Sequence, residues 1–383
     1  MNLRRIPPGA WVAGAVLTLA LCLPGCGQFF PPLSSTGSGT GTGTSGGDYV
    51  FAGNFGTNPV SVAGFSLASS ALTAVSGSPW EVTLEPTALA VTPDDSYLYL
   101  GSAEGGIYVY TISSSGAISL GNGGTAVASG IYPAVLRVDP SGKWLLGADA
   151  LSGTAYVFQI LSGGALTPIG SSSITFNQTS PATDLEITPN EDDVFVSCGT
   201  AGIYTFTFND STGALAWTNK VLSPKKSGDA DYGMAISPSG DYLFAAETGI
   251  SAVRVLTIGS DAGLTEVSGS PYSTGLGPYA VLVDSTGSYV YVTNRTDGTI
   301  SAFTLSSTGA LTAISGSPFS TGKLPMAIVE DNSDTYIAVA CAGGSSDLEV
   351  YTISSSTAGA LVSFKTSTTG TDPTEASSLA ATH

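Results

Sequence analysis

Seven times along this chain, at steps of 47 to 50 residues, a short alternating or apolar run opens on an aromatic residue or a valine: Tyr49, Tyr97, Trp144, Val194, Tyr242, Tyr289 and Tyr336. A repeat this regular constrains the fold more than any other feature of the sequence. Residues 71–80 (ALTAVSGSPW), 263–272 (GLTEVSGSPY) and 310–319 (ALTAISGSPF) are close to interchangeable. Each unit reads as four strands. A P-x-A segment comes first (86–92, 133–139, 278–284, 325–331), then a tight turn such as Pro140-Ser141-Gly142, whose residues suit the turn. Runs like YLYLGS and IYVYTI follow, and an ALTAVSGSP run ends the unit. Four strands in about 47 residues, seven times over, predict an all-β chain: a seven-bladed β-propeller with four-stranded blades. A lone blade cannot bury both faces, so the ring has to close. The chain enters at the second strand of its first blade, and 373–379 (PTEASSL) reads as the missing first strand. The C-terminal strand is therefore expected to complete the N-terminal blade.

Composition agrees. Only 10% of residues are charged and 49 of 383 are glycine, while 42% are hydrophobic. That excludes a Glu/Lys-rich coiled coil and a highly charged disordered chain. The net charge of −18 repels phosphate, so a nucleic-acid partner is not expected.

The N-terminus carries an address. Arg4 and Arg5 precede a 14-residue apolar run, 10–23. A spanning helix needs about 20 such residues, whereas a signal peptide does not. The run ends in Leu23-Pro24-Gly25-Cys26, which resembles the lipobox of bacterial lipoproteins. The resemblance implies cleavage before Cys26 and its acylation, which holds a chain to a membrane at about 0.8 kcal/mol per buried CH₂. Gly27 favours the outer membrane or outer surface. Residues 1–25 are thus expected to be a lipoprotein signal, 26–47 a lipidated Gly/Ser/Thr-rich tether spanning roughly 25 Å, and 48–383 the propeller.

Tyr289-Val290-Tyr291-Val292-Thr293-Asn294, together with the SGSP runs, resembles the YVTN-repeat and lactonase-like propellers, relatives of the propeller-type 6-phosphogluconolactonases. The resemblance spans Asp48 to about Leu379. It implies fold strongly and activity weakly, because the repeated residues are those of turns and core. Such lactonases are expected to use His, Arg or Glu in the central funnel. The sole histidine here is His383, at a chain end expected to fray. A Ser-His-Asp relay and a His-built zinc site are thereby excluded from the body. Cys198 and Cys341 fall in units nearly opposite across the ring, too far apart for a disulfide, and read as small buried hydrophobes.

Three sets of residues could carry chemistry. The sixth residues of the second strands, Asn54, Ser102, Asp149, Gly199, Glu247, Asn294 and Cys341, should border the channel mouth. Asn54, Asp149, Glu247 and Asn294 offer the oxygens that Ca²⁺ prefers, although strand ends favour Asn and Asp in any case. In the first-type strands, Arg137 and Glu186 stand at equivalent apolar positions of neighbouring units, with Asp184 one pleat away. Charges there need partners, so an inter-blade ion pair is expected. Arg295, Lys323, Lys225 and Lys226 fall in mouth loops, and Arg137 with Arg295 could form an anion-binding funnel. Trp80, Tyr272 and Phe319, each following SGSP, read as outer-blade packing.

The leading expectation is an exported, lipid-anchored propeller that binds or scaffolds at the cell envelope without catalysis. Its partners would be the membrane through its anchor and an envelope protein, sugar or small molecule. The alternative is a lactone hydrolase acting on an unphosphorylated lactone, with Ca²⁺ as a possible cofactor and Asp149 and Glu247 as its catalytic carboxylates.

Overall fold

The first-type strands are unbroken apolar runs, such as Pro86–Val91 (PTALAV) and Pro278–Val283 (PYAVLV), and every residue in these two is buried. Strands buried on both faces need cover on both sides. The computed structural model, which describes residues 47–383 other than 56–58, 69–70, 170–172, 176–179, 345 and 371–374, supplies that cover with a ring of seven antiparallel sheets. The expected signal, Cys26 and all of the tether but Gly47 lie outside the described residues. Among those described, no helix is long and apolar enough to cross a membrane.

Each blade runs outward from an inner strand. In blades 2 to 7 the inner strands are Pro86–Val91, Pro133–Val138, Asp184–Ile187, Asp231–Ile236, Pro278–Val283 and Lys323–Glu330. In blade 1 the inner strand is the C-terminal Glu375–Ala381, paired with Asp48–Phe55 in the register Val50↔Ala381, Phe51↔Ala380, Ala52↔Leu379. The ring closes as the sequence predicts. Apolar clusters then fill every contact between adjacent blades; one joins Trp144, Leu146 and Val157 of blade 3 to Leu185, Val196 and Phe206 of blade 4.

The chain end differs from expectation. Thr382 exchanges hydrogen bonds with Tyr49, and the His383 backbone N–H donates to Asp95 at 2.8 Å. The last residues are docked, because the closing strand delivers them onto the turns of blades 1 and 2.

The recurring motifs now have physical roles. The outer strand is shorter than the SGSP motif suggests: it covers Ala71–Ala74, Gly263–Glu266 and Leu311–Ala313, and the chain then turns. The serine before proline accepts an N–H from the third strand where the outer strand leaves it: Gly64 to Ser78, Val255 to Ser270, Ala302 to Ser317. The next aromatic opens a two-residue strand that pairs back on the third strand. Trp80, Tyr272 and Phe319 are half-buried against inter-blade clusters, as packing residues. At the opposite face, Asp139, Asp284 and Asp331 accept the N–H of the residue five places on, which fixes the inner turns. Cys198 and Cys341 are free and buried.

Candidate functional site

The sixth residues of the second strands do lie at one end of the ring. Five of them face the first residues of their own inner strands: Ser102 opposite Pro86, Asp149 opposite Pro133, Glu247 opposite Asp231, Asn294 opposite Pro278, Cys341 opposite Pro325, while Gly199 bridges to Asp231 of the next blade. This end is the mouth. The four oxygen-bearing candidates do not turn toward one another. Asn54 bonds Ser61 and Thr369. Both Asp149 oxygens accept backbone N–H groups, from Tyr132, Leu151 and Ser152 at 2.7–2.8 Å. Asn294 donates to Thr299 and Ser301. Among the described residues no group of three or more His, Cys, Asp or Glu is placed to hold a metal ion. Asp149 acts locally as the residue that folds the loop after its strand.

Glu247 is different, because blade 5 breaks the repeat around it. Blades 2, 3, 6 and 7 have proline at 86, 133, 278 and 325, six residues before the turn residue; blade 5 has Asp231 there. Asp231 opens the inner strand directly opposite Glu247. Arg254, on the third strand Ala252–Gly259, comes up beside them. Its Nη1 lies 3.0 Å from Glu247 Oε1 and 4.0 Å from Asp231 Oδ1. Asp229 completes the set, with Oδ1 accepting from the backbone of Ala230 and Gly249. Ser223 and Lys225, in the loop after the outer strand of blade 4, close over it: Arg254 donates to the Ser223 carbonyl, and the Lys225 N–H to Glu247 Oε1 at 2.5 Å.

Three carboxylates and one guanidinium are thus sealed together, Asp231 and Glu247 at 0% exposure. The count is unbalanced, and so is the hydrogen bonding. Among the described residues no donor serves either oxygen of Asp231, Oε2 of Glu247 or Oδ2 of Asp229, and no acceptor serves Nε of Arg254; Asp231 and Glu247 are close enough to share a proton. Unpaired buried groups of this kind are expensive, which makes the set a candidate site. Burial, and after it the charge of Glu247, pushes Asp231 up to about 8 against the pull of Arg254. Burial also raises Glu247, opposed by the Lys225 N–H and by Arg254. An acid that keeps its proton near neutrality, a second carboxylate and a fixed cation can move a proton and stabilise a developing oxyanion. Of this set only Glu247 was visible as a candidate in the sequence. Its partners were signalled by an aspartate where four blades have proline.

Arg137 and Glu186 meet as expected. Arg137 Nη2 lies 2.8 Å from Glu186 and 2.9 Å from Asp184, all three buried. Asp184 also accepts the Met234 N–H, so the contact ties blades 3, 4 and 5. Burial raises Glu186, with Arg137 opposing and Asp184 adding to the shift. Arg295 lies elsewhere: its guanidinium covers the Tyr279 ring at 5.7 Å and donates to Met326. Arg137 and Arg295 therefore do not share a site, and the Arg137 guanidinium is taken up by two carboxylates. Lys225 pairs with Glu266, half-exposed.

The sequence profile of the family described as "Lactonase, 7-bladed beta-propeller" matches residues 49–377. Among curated proteins none matches the chain in sequence. Solved structures match it widely. A protein from Lactobacillus plantarum is 21% identical with a TM-score of 0.70, covering 88% of this chain and 100% of its own. A candidate 6-phosphogluconolactonase from Bacteroides uniformis is 15% identical with a TM-score of 0.72 and the same coverage. The periplasmic gluconolactonase PpgL of Pseudomonas aeruginosa is 14% identical, TM-score 0.69, over 88% of this chain and 99% of that one. At these identities the likenesses concern the fold.

Proposed function

This chain belongs to the lactonase family of seven-bladed β-propellers, and from that premise we propose that it hydrolyses an unphosphorylated lactone outside the cytoplasm. The observation that carries the reading is the buried, unbalanced set of Asp229, Asp231, Glu247 and Arg254. Opening a lactone adds water to the carbonyl carbon and breaks the bond to the ring oxygen. It needs a base for the water proton, a cation or donor for the carbonyl oxygen, and an acid for the leaving alkoxide. Glu247 takes the water proton, Arg254 faces the oxyanion, and protonated Asp231 supplies the ring oxygen. Substrate reaches them when the loop carrying Ser223 and Lys225 lifts. Three carboxylates against one guanidinium disfavour a phosphorylated substrate. The export signal read at 1–25 and the likeness to a periplasmic gluconolactonase support the same choice.

Hydrolysis of glucono-δ-lactone and a panel of aliphatic lactones by the full chain, followed in a pH-stat, tests this. Turnover above buffer is expected, lost in Glu247→Gln and Arg254→Met and falling as pH rises through about 8, where Asp231 loses its proton. No turnover above buffer refutes the activity. Acylation at Cys26 belongs to the same proposal: Cys26→Ser should move the protein from the membrane to the soluble fraction.

A second reading is favoured by the complete burial of Asp231 and Glu247. In it the propeller is a binding or scaffold module of the envelope, for a protein, sugar or small molecule, and the charged set only shapes its mouth. Ligand binding without turnover would support it.

A further inference from the structure

The loop that crosses the blade 5 set is a strap between two fixed points. Leu222 ends the outer strand of blade 4, paired with Ile203. Asp229 is buried and accepts the N–H groups of Ala230 and Gly249. Between them Lys225, Lys226, Ser227 and Gly228 are exposed. The contacts that hold this span down are specific. The Ser223 carbonyl accepts from Arg254 Nη1 at 3.0 Å, and the Lys225 N–H donates to Glu247 Oε1 at 2.5 Å. The Lys225 ammonium then reaches Glu266 Oε2, 2.6 Å away on the outer strand of blade 5. The other Glu266 oxygen is buried without a hydrogen-bond partner among the described residues, so Lys225 is the cation that answers its charge.

The first two contacts fall on the atoms that hydrolysis would use. A peptide carbonyl sits on the guanidinium that faces a lactone carbonyl oxygen, and a peptide N–H sits on the carboxylate oxygen that takes the water proton. The strap backbone therefore fills the site as a bound ester and its water would, with Asp231 and Glu247 at 0% exposure beneath it. Resting on the hydrolytic reading of blade 5, we propose that residues 223–228 are an autoinhibitory strap latched by the Lys225–Glu266 pair, and that the site admits substrate only when the latch is open. Gly228 permits the movement: its φ of +84° suits glycine, and a side chain placed there would meet nothing within 4 Å. An exposed ion pair shifts an equilibrium by about two- to fivefold and is screened by salt. The latch thus sets the open fraction of the site according to ionic strength.

The test is hydrogen exchange of the full chain, followed by mass spectrometry on peptides spanning 223–229, where the Lys225 amide loses protection when the strap lifts. At about 10 mM salt, where screening is weak, Glu266→Gln should speed exchange there about two- to fivefold and leave the other blades unchanged. Lys225→Gln should do the same after correction for its own intrinsic rate, and the two substitutions together should do no more than either alone. At about 1 M salt parent and variants should converge. Equal exchange in parent and Glu266→Gln at low salt overturns the proposal, as does a difference that high salt leaves intact. The kcat/KM for a lactone should rise in Glu266→Gln by the same factor as exchange, and faster exchange without that rise overturns the strap's role as gate. Absence of turnover in the parent refutes the hydrolytic reading alone, because exchange still decides the latch.

Discussion

Arg137 and Glu186 stand 2.8 Å apart across the contact between blades 3 and 4, with Asp184 2.9 Å from the same nitrogen. Each charge was removed from water to reach this place, and each depends on the others. Arg137→Met leaves two carboxylates facing each other without a cation. We expect a loss of about 3–5 kcal/mol of stability at pH 8, read from urea unfolding. The loss should grow as pH rises above about 8, because burial raises Glu186 to about 8 even beside Arg137 and without the cation it holds its proton to higher pH still. Adding Glu186→Leu should recover part of it. Equal stability of parent and Arg137→Met would contradict a buried pair.

The ring is held shut by Glu375–Ala381 on Asp48–Phe55. That strand buries Ala376, Leu379, Ala380 and Ala381, and Leu379 alone accounts for about 1.5–3 kcal/mol of burial. Deleting residues 372–383 also exposes the inner edge of blade 1. The melting temperature should fall by more than about 5 °C, and proteolysis should begin at blade 1. A truncated chain that melts like the parent would show that closure lies elsewhere.

Stability should fall as pH rises. Asp231 is pushed up to about 8 by burial and by Glu247; Glu330 reaches about 8 through burial and the charges of Asp284, Asp334 and Asp331, against the Ser285 N–H. In the unfolded chain these groups titrate near 4. Between those values the folded state holds more protons than the unfolded one, so their stabilising contribution is complete below about pH 4 and is lost toward pH 8. Melting temperature should therefore drop between pH 5 and pH 9. Asp231→Asn combined with Glu330→Gln should flatten that slope, and an unchanged slope would place its source elsewhere.

The SGSP serine should matter more than its surface position suggests. Ser317→Ala leaves the Ala302 N–H without its acceptor, at a cost of about 1–3 kcal/mol. Thr312→Ala, on the neighbouring exposed outer strand, should cost far less. Urea midpoints of the two variants decide it.

The repeats made the fold legible because the same physical needs recur around the ring: an apolar inner strand, a turn residue that caps it and, in three blades, a serine where the outer strand ends. Each leaves a similar residue at the same place, as Asp139, Asp284 and Asp331 do, with Thr92, Thr188 and Ser237 accepting the same N–H in other blades. The Arg137–Glu186 contact could be read for the opposite reason, since charge at an apolar position has few places to go. The blade 5 set was only partly legible. Glu247 belongs to the repeated mouth positions, but Arg254 approaches from a strand whose register with Ala245 fixes its height, and that follows from pairing, not from spacing. Asp149 misled for a related reason. Its composition suits chemistry, yet the N–H groups of Tyr132, Leu151 and Ser152 occupy it, and loop geometry alone determines that. The fraying expected of His383 failed because ring closure turns a terminus into an interior strand.

That closure also brings both ends of the propeller to one face. Asp48 enters beside Asp95 and Asp331, and His383 ends against Asp95, on the side of the inner turns and away from Glu247 and Asn294. The first strand therefore begins, and the closing strand ends, on the face of the inner turns, opposite the mouth. A reporter fused at either end would crowd the same patch, and neither would stand over the opening.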